Sequence, residues 1–121
     1  MMVLGSLVSV VDDDESVRES VPDLLRSFGF TSQGFSSAEE FLESDFVGQT
    51  KCLVLDIAMP GMSGPALQKE LERRRKNIPI VFITARSEES LRMLEAGAVE
   101  CLLKPFSETA LLNAITAALR G

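Results

Sequence analysis

The sequence predicts a single α/β domain built on a parallel sheet, and three features of the 121-residue chain indicate it. Apolar runs of strand length alternate five times with patterns typical of helices. Most of these runs are continuously hydrophobic, as expected for parallel strands that helices cover on both faces. Hydrophobic residues make up 45% of the chain and charged residues 25%, which is enough apolar side chain for a real core. Repeated βα units imply right-handed crossovers and helices on both sides of the sheet.

The strand predictions depend on apolar runs bounded by polar or turn-forming residues. They cover 7–11 (LVSVV), 31–35 (TSQGF), 52–56 (CLVLD), 79–84 (PIVFIT) and 99–103 (VECLL). The second segment is mostly polar, which is typical of an edge strand. The other segments are mostly apolar and predict strands that lie under helices.

The first helix is predicted over 17–28, where apolar residues recur at helical spacing. Asp14 precedes this pattern and suits the N-cap position. Pro22 falls inside the pattern. A proline there removes one backbone hydrogen bond and favours a kink in the helix.

The remaining helices are predicted mainly from their capping signals. The sequence SAEE at 37–40 forms a capping box, and Pro65 suits the first position of the next helix. Ser87 is expected to cap a helix over 88–95, and Ser107 is expected to cap the last helix. With the strands, these helices complete a chain of five βα units.

The charge of the chain argues against a nucleic-acid-binding surface. The formal net charge is −6, and the one basic run, ERRRK at 72–76, falls at the end of a predicted helix. Cations are favourable at a helix C-terminus, and no aromatic residues are interleaved with this run. We therefore expect no direct contact between this domain and nucleic acid.

The cysteine usage and the N-terminal residues predict a cytoplasmic protein. Cys52 and Cys101 both lie in apolar runs, so we expect buried, reduced thiols rather than a disulfide. The apolar run near the N-terminus is too short for a membrane span and lacks the basic region of a signal peptide. No membrane association is predicted.

Chemistry-bearing side chains follow four of the five predicted strands. Asp12, Asp13 and Asp14 follow the first strand, Asp56 ends the third, Thr84 ends the fourth, and Lys104 follows the fifth. Ligands of open parallel sheets bind at the carboxyl ends of the strands, so these groups are expected to converge. The chain contains no histidine. Clustered carboxylates without histidine suit a hard divalent cation such as Mg²⁺.

Each of these residues also has an ordinary explanation when it is considered alone. Asp14 can cap the following helix, and Asp56 can be a simple loop residue between a strand and a helix. Thr84 can bond its own backbone, and Lys104 can be a solvated surface lysine. The combination favours a site, because four separate strand ends supply groups of matching chemistry.

Several motifs carry a resemblance to a known family. "VVDDDE", "LVLDIAMPGMSG", "IPIVFITA", "AGAVECLLKPF" and the terminal helix together resemble the receiver domain of bacterial two-component response regulators, in its FixJ-type form. The resemblance covers essentially the whole chain. It implies a flavodoxin-like (βα)5 three-layer sandwich with the sheet order 2-1-3-4-5. It also implies that residues 1–121 are one receiver domain, either stand-alone or part of a longer regulator, with any output domain absent from this chain.

The resemblance assigns a role to each residue of the acidic cluster. Asp56 matches the phosphoacceptor, and Asp13 matches a direct ligand of the Mg²⁺ cofactor. Asp12 is expected to shape the ion site through water, and the backbone carbonyl of Ala58 is expected to be a further ligand. A carboxylate is a competent nucleophile for forming an acyl phosphate.

The resemblance also assigns the groups that would respond to the phosphoryl group. Thr84 and Lys104 match residues that contact it and transmit a conformational change. Cys101 stands where the family usually carries an aromatic switch residue coupled to the threonine, so we expect signalling through backbone and helix shifts instead. The spacing from Thr84 to Lys104 is slightly shorter than the family norm, which puts the usual dimer in doubt.

The resemblance implies partners and leaves alternatives open. A sensor histidine kinase would be the phosphoryl donor, and an output domain, a downstream protein or a phosphorylation-dependent dimer would read the result. Ala58 and Arg86 occupy positions that influence the lifetime of the phosphoryl group, and they predict slow self-dephosphorylation. Alternatives are an Asp-nucleophile enzyme acting on small phosphate esters and a degenerate receiver that acts as a constitutive interaction domain.

Overall fold

Five parallel strands form one sheet in the order β2-β1-β3-β4-β5, which confirms the predicted 2-1-3-4-5 topology. The computed structural model describes residues 5–86, 88, 92 and 100–120. The strands are β1 (Leu7–Val11), β2 (Thr31–Phe35), β3 (Thr50–Asp56), β4 (Ile80–Thr84) and β5 (Glu100–Leu103). The polar strand β2 lies at one edge, as its sequence predicts.

Helices follow β1, β2, β3 and β5 in the predicted alternation. They are α1 (Glu15–Ser27), α2 (Ala38–Glu43), α3 (Gly64–Arg73) and α4 (Glu108–Arg120), with a short 3₁₀ turn over Val47–Gln49. The helix predicted over 88–95 and its predicted cap Ser87 lie outside the described residues, except for Glu88 and Arg92. No helix in the described part of the chain is long and apolar enough to cross a membrane.

Two strand boundaries differ from the sequence prediction. Strand β3 begins at Thr50 rather than at residue 52, and it pairs with β1 from that point. Strand β4 begins at Ile80 rather than at Pro79. Proline has no N–H for a ladder, and Pro79 contributes only its carbonyl, which accepts a bond from the amide of Leu53 at 2.9 Å.

The predicted caps hold the starts of the helices. The Asp14 carboxylate accepts the Ser16 amide at 3.0 Å at the start of α1. The Ser37 hydroxyl accepts the Glu40 amide at 3.0 Å, and the Glu40 carboxylate reaches one residue beyond the cap to the Ser36 amide at 2.7 Å. The bonds to the Ser16 and Glu40 amides satisfy donors that the first turn of a helix leaves without partners.

The sheet divides the core into two layers, so the domain is a three-layer sandwich. Side chains on one face of the sheet pack with α1 and α4, and those on the other face pack with α2 and α3. Successive strand residues alternate between the layers: Cys52 and Val54 belong to the first, and Leu53 and Leu55 belong to the second. Because both faces are covered, the inner strands read as continuous apolar runs.

Both cysteines are buried in these layers, and neither forms a disulfide, as predicted. Burial raises the pKa of the Cys52 thiol to about 12, so this thiol stays protonated at neutral pH. Cys101 is 8% exposed and lies opposite Phe82 of β4, in the layer that α2 and α3 cover. The position at which the resembling family usually carries an aromatic switch residue is therefore occupied by a buried thiol in the core.

Candidate functional site

The predicted groups meet at the carboxyl edge of the sheet. Asp12 follows β1, Asp56 ends β3, Thr84 ends β4, and Lys104 follows β5. The Lys104 ammonium lies 2.9 Å from a carboxylate oxygen of Asp12 and 3.6 Å from one of Asp56. The Lys104 amide donates to the Thr84 carbonyl at 2.7 Å. The parallel pairing of the strands thus brings residues that are far apart in sequence into one site.

Three carboxylates form an acidic cluster at this edge. Asp12, Asp13 and Asp56 each offer one oxygen, and these oxygens lie within 4.8 Å of one another. Asp12 and Asp56 are buried, whereas Asp13 is exposed. An all-oxygen donor set of this kind fits a hard cation such as Mg²⁺, which binds carboxylates and keeps several waters. Asp14 caps α1 and is not one of these three carboxylates, so the two explanations of the triple aspartate apply to different residues.

The Asp12 carboxylate has well-defined polar partners. One oxygen accepts the Asp14 amide at 2.9 Å, and the other accepts the Lys104 ammonium at 2.9 Å. The residue is 0% exposed. A buried carboxylate is tolerated when it is paired and hydrogen-bonded in this way.

The Asp56 carboxylate lies in a less favourable electrostatic environment. Burial first and the charge of Asp12 second raise the pKa of Asp56 to about 7, although the Lys104 ammonium acts to lower it. The residue is 5% exposed at the end of β3. In the absence of a cation, ionisation of this carboxyl is therefore costly. A divalent cation at the cluster would favour its charged form.

Lys104 connects the two buried carboxylates. Burial acts to lower the pKa of Lys104, but the bond to Asp12 and the charges of Asp12, Asp56 and Asp14 outweigh it and raise the pKa. The peptide bond between Lys104 and Pro105 is cis. Lys104 is thus a structural partner of the acidic cluster rather than a solvated surface lysine.

Thr84 is buried, and its hydroxyl lies at the carboxyl end of β4. It is 1% exposed, and its hydroxyl oxygen accepts the Arg86 amide at 3.1 Å. This local bond is the ordinary explanation that the sequence left open for the threonine. Arg86 itself is exposed. A threonine bonded in this way remains beside the carboxyl ends of β3 and β5, because β4 pairs with both strands.

Two residues that hold the loops around the site were not found from the sequence. Arg18 of α1 donates to the backbone carbonyls of Asp12 and Asp13 at 3.2 and 3.0 Å. Glu39 of α2 accepts the Met62 amide at 3.2 Å and so braces the loop between β3 and α3. A basic residue one turn into the helix after an acidic loop was the available signal for Arg18. The sequence around Glu39 carries no comparable signal.

The fold and the site together define an α/β domain suited to binding a cation and an anionic group at one edge of its sheet. The family can be stated more closely. The chain belongs to the response regulator receiver domain family, whose sequence profile matches residues 8–116. It is therefore a receiver domain of two-component signalling systems, as the motifs indicated.

The chain has curated relatives in bacteria. It is 44% identical over 115 residues to nodulation protein W of Bradyrhizobium diazoefficiens, covering 93% of this chain and 51% of that protein. It is 40% identical over 118 residues to response regulator protein TodT of Pseudomonas putida, covering 96% of this chain and 52% of that protein. The chain spans about half the length of the curated relatives it matches.

Solved structures share the same fold over nearly the whole chain. The response regulator StyR superposes with a TM-score of 0.85 at 52% identity, covering 94% of this chain and 59% of that one. FixJ-N superposes with a TM-score of 0.84 at 35% identity, covering 99% and 96%. TrrA of Thermotoga maritima, solved in complex with Mg²⁺-BeF, superposes with a TM-score of 0.83 at 29% identity, covering 94% and 99%.

Proposed function

We propose that this receiver is switched by transfer of a phosphoryl group from a sensor histidine kinase to Asp56, with Mg²⁺ as cofactor. The observation that carries the proposal is the acidic cluster itself. Asp12, Asp13 and Asp56 converge within 4.8 Å at the carboxyl edge, and the Lys104 ammonium bridges the two buried members. Membership of the receiver family supports the same assignment.

The residues present fit a bound Mg²⁺. Asp13 and Asp56 would be direct carboxylate ligands, Asp12 would shape the site through water, and the backbone carbonyl of Ala58 would add a further oxygen. When bound, Mg²⁺ supplies positive charge that neutralises the oxygens of the transferred phosphoryl group. The exposure of Asp13 and Ala58 leaves the site accessible from solvent.

The transfer step needs only groups that meet at this edge. A carboxylate oxygen of Asp56 attacks the phosphorus of phosphohistidine, and an O–P bond forms as the P–N bond breaks. The imidazole leaves with the electron pair of that bond and takes up a proton from water. The Lys104 ammonium, 3.6 Å from Asp56, would neutralise charge on the phosphoryl oxygens. The Thr84 hydroxyl would donate a hydrogen bond to them.

The conformational response would begin at Thr84 and Lys104. A new phosphoryl group would compete with Asp12 for the Lys104 ammonium and would accept a hydrogen bond from the Thr84 hydroxyl, whose oxygen accepts the Arg86 amide. These local exchanges are the kind of charge event that biases a two-state element. Cys101 has no ring to swing inward, so the response would pass through the backbone of β4 and β5 and the helices beside them.

The proposed setting is a longer cytoplasmic regulator. Residues 1–121 would form one receiver domain, and an output domain or a downstream protein would read its state to regulate transcription. The domain would not contact nucleic acid directly or associate with membranes. It would slowly hydrolyse its own aspartyl phosphate without turning over small phosphate esters.

Intact-mass spectrometry after incubation with acetyl phosphate and Mg²⁺ tests the proposal. The wild-type protein is expected to gain one phosphoryl group, and this gain should disappear in Asp56→Asn and when a chelator removes Mg²⁺. Asp45→Asn is a matched control, because Asp45 is an exposed aspartate outside the acidic cluster. Its mass gain should equal that of the wild type.

A folded, Mg²⁺-binding protein that gains no phosphoryl group would contradict the proposal and favour the degenerate receiver. A gain that persists in Asp56→Asn would place the acceptor elsewhere. Release of phosphate from small phosphate esters over many turnovers would favour the Asp-nucleophile enzyme.

A further inference from the structure

The guanidinium of Arg18 binds the backbone of the acidic loop rather than its carboxylates. Arg18 is the fourth residue of α1 and is half-buried. One of its terminal nitrogens donates to the carbonyl of Asp12 at 3.2 Å and to the carbonyl of Asp13 at 3.0 Å. These two residues carry two of the three carboxylates of the acidic cluster. A single side chain thus holds the backbone from which both carboxylates project.

The packing of α1 against β2 determines how closely the turn of α1 that carries Arg18 approaches the sheet. Pro22 has no N–H, so the Arg18 carbonyl lacks the donor that a helix normally places four residues later. This carbonyl faces Gly34 of β2, where an added Cβ would lie 3.0 Å from the Arg18 oxygen and 3.6 Å from Cγ of Pro22. A side chain at position 34 would therefore push this turn of α1 away from the sheet. Pro22 and Gly34 together account for the close approach of the Arg18 turn.

The charge of Arg18 and its hydrogen bonds act on a bound cation in opposite directions. A guanidinium close to the acidic cluster repels a divalent cation and, by charge alone, weakens its binding. Fixing the backbone of Asp12 and Asp13 holds their carboxylates at a separation that suits one cation, which strengthens binding. The sign of the change in affinity when Arg18 is replaced therefore reports which effect dominates.

We propose that Arg18 is a positioning residue that orients the Asp12–Asp13 backbone for binding a divalent cation. The inference rests on the proposed function only in that the acidic cluster binds Mg²⁺. Arg18 supplies no oxygen ligand for the cation and would act through the two carbonyls. The bond from the Asp14 amide to the Asp12 carboxylate, at 2.9 Å, lies in the same short loop and depends on the same backbone conformation.

Titration calorimetry of unphosphorylated protein with MgCl₂ tests the proposal. Arg18→Met is expected to weaken Mg²⁺ binding about tenfold, the size of effect typical of residues that orient metal ligands. Arg26→Met is the matched control. Arg26 also lies in α1 and donates to a backbone carbonyl, that of Ser32 at 2.8 Å, but it lies outside the acidic loop. The Mg²⁺ affinity of Arg26→Met should equal that of the wild type.

Two further variants separate positioning from a general loss of structure. Arg18→Lys keeps the charge and one donor group, and it should recover part of the lost affinity. Gly34→Ala keeps Arg18 and shifts its turn of α1, so it should also weaken Mg²⁺ binding. Urea denaturation of each variant identifies any that fails to fold, and the remaining variants decide the question.

Unchanged or tighter Mg²⁺ binding in folded Arg18→Met would overturn the proposal, while the proposed function would stand. A wild-type protein that binds no Mg²⁺ would overturn the proposed function instead. In that case hydrogen exchange of the Asp14 amide, measured with a chelator present, tests the positioning role of Arg18 independently of Mg²⁺ binding. Exchange that is faster in Arg18→Met than in Arg26→Met supports the positioning role, and equal exchange contradicts it.

Discussion

The two central strands, β1 and β3, deliver carboxylates that differ in how the protein holds them. Asp12, just after β1, accepts bonds from the Asp14 amide and the Lys104 ammonium, both at 2.9 Å. Asp56, at the end of β3, lies 3.6 Å from the same ammonium, and burial with the charge of Asp12 raises its pKa to about 7. Neighbouring strand ends thus provide one stabilised carboxylate and one destabilised carboxylate.

The loops around these two residues differ in the same way. Polar bonds hold the loop after β1, from Arg18 to the carbonyls of Asp12 and Asp13. Close packing holds the end of β3, since a Cβ added at Gly64 would lie 2.5 Å from the Asp56 carbonyl oxygen. The difference indicates that the two carboxylates have different roles in the site. One carboxylate organises the site, and the other retains the unfavourable energy that a cation can relieve.

The largest expected effect is that of Lys104→Met on stability. Removing the ammonium leaves the carboxylate of Asp12 buried without its charged partner, which should lower the free energy of unfolding by about 3 kcal/mol. Urea denaturation with a chelator present measures this. Lys76→Met, at an exposed lysine, is the control and should change stability by less than about 0.5 kcal/mol. Similar stabilities of the two variants would mean that Lys104 does not stabilise Asp12.

A smaller effect is expected from Gly64→Ala. The new methyl group would clash with the Asp56 carbonyl and would approach Cα of Ile57 to 3.0 Å, which should cost about 2 kcal/mol. Gly48→Ala is the matched control, because nothing lies within 4 Å of a Cβ at that position. Thermal unfolding compares the two variants. Equal melting temperatures would show that packing does not hold the end of β3.

Asp56→Asn is expected to stabilise the cation-free protein. Because the folded-state pKa of Asp56 is raised to about 7, the wild type loses stability as pH rises from the ordinary value of 3.8 to that point. The asparagine variant has no such loss. At about pH 8 it should therefore be more stable than the wild type by at least about 1 kcal/mol, an advantage that vanishes below about pH 4.

Asp12→Asn is the counterpart of this variant and is expected to change stability in the opposite direction. It removes the charged partner that lies 2.9 Å from Lys104, so it should destabilise the protein. Urea denaturation at several pH values, with a chelator present, compares both variants with the wild type. If both variants shift stability in the same direction, the contrast between the two carboxylates is wrong.

The smallest effect is expected from Glu39→Ala, which removes the one side-chain acceptor described for the Met62 amide. Glu39 is exposed, so the loss in stability should be only about 0.5 kcal/mol. Hydrogen exchange at the Met62 amide should nevertheless become faster. Glu43→Ala, at another exposed glutamate of α2, should leave this exchange rate unchanged. An unchanged rate in Glu39→Ala would show that Glu39 does not brace this loop.

Local patterns in the sequence were sufficient to predict the fold and the edge that carries the site. Continuous apolar runs at 52–56 and 79–84 indicated strands covered on both faces, and the structure buries both. The polar run at 31–35 indicated an edge strand, and β2 lies at the edge. These predictions succeed because side-chain periodicity reports burial directly. The general rule for parallel sheets then places Asp12 and Asp56 at the same edge.

The sequence determined the strands, the caps and the set of groups at the carboxyl edge, since each depends on a residue and its near neighbours in the chain. Only the tertiary structure decided how those groups pair. Lys104 binds Asp12, 92 residues away, more closely than Asp56, and Arg18 binds carbonyls rather than carboxylates. Which partner a side chain binds depends on distances of a few tenths of an ångström, and these distances are set only when the strands and helices pack.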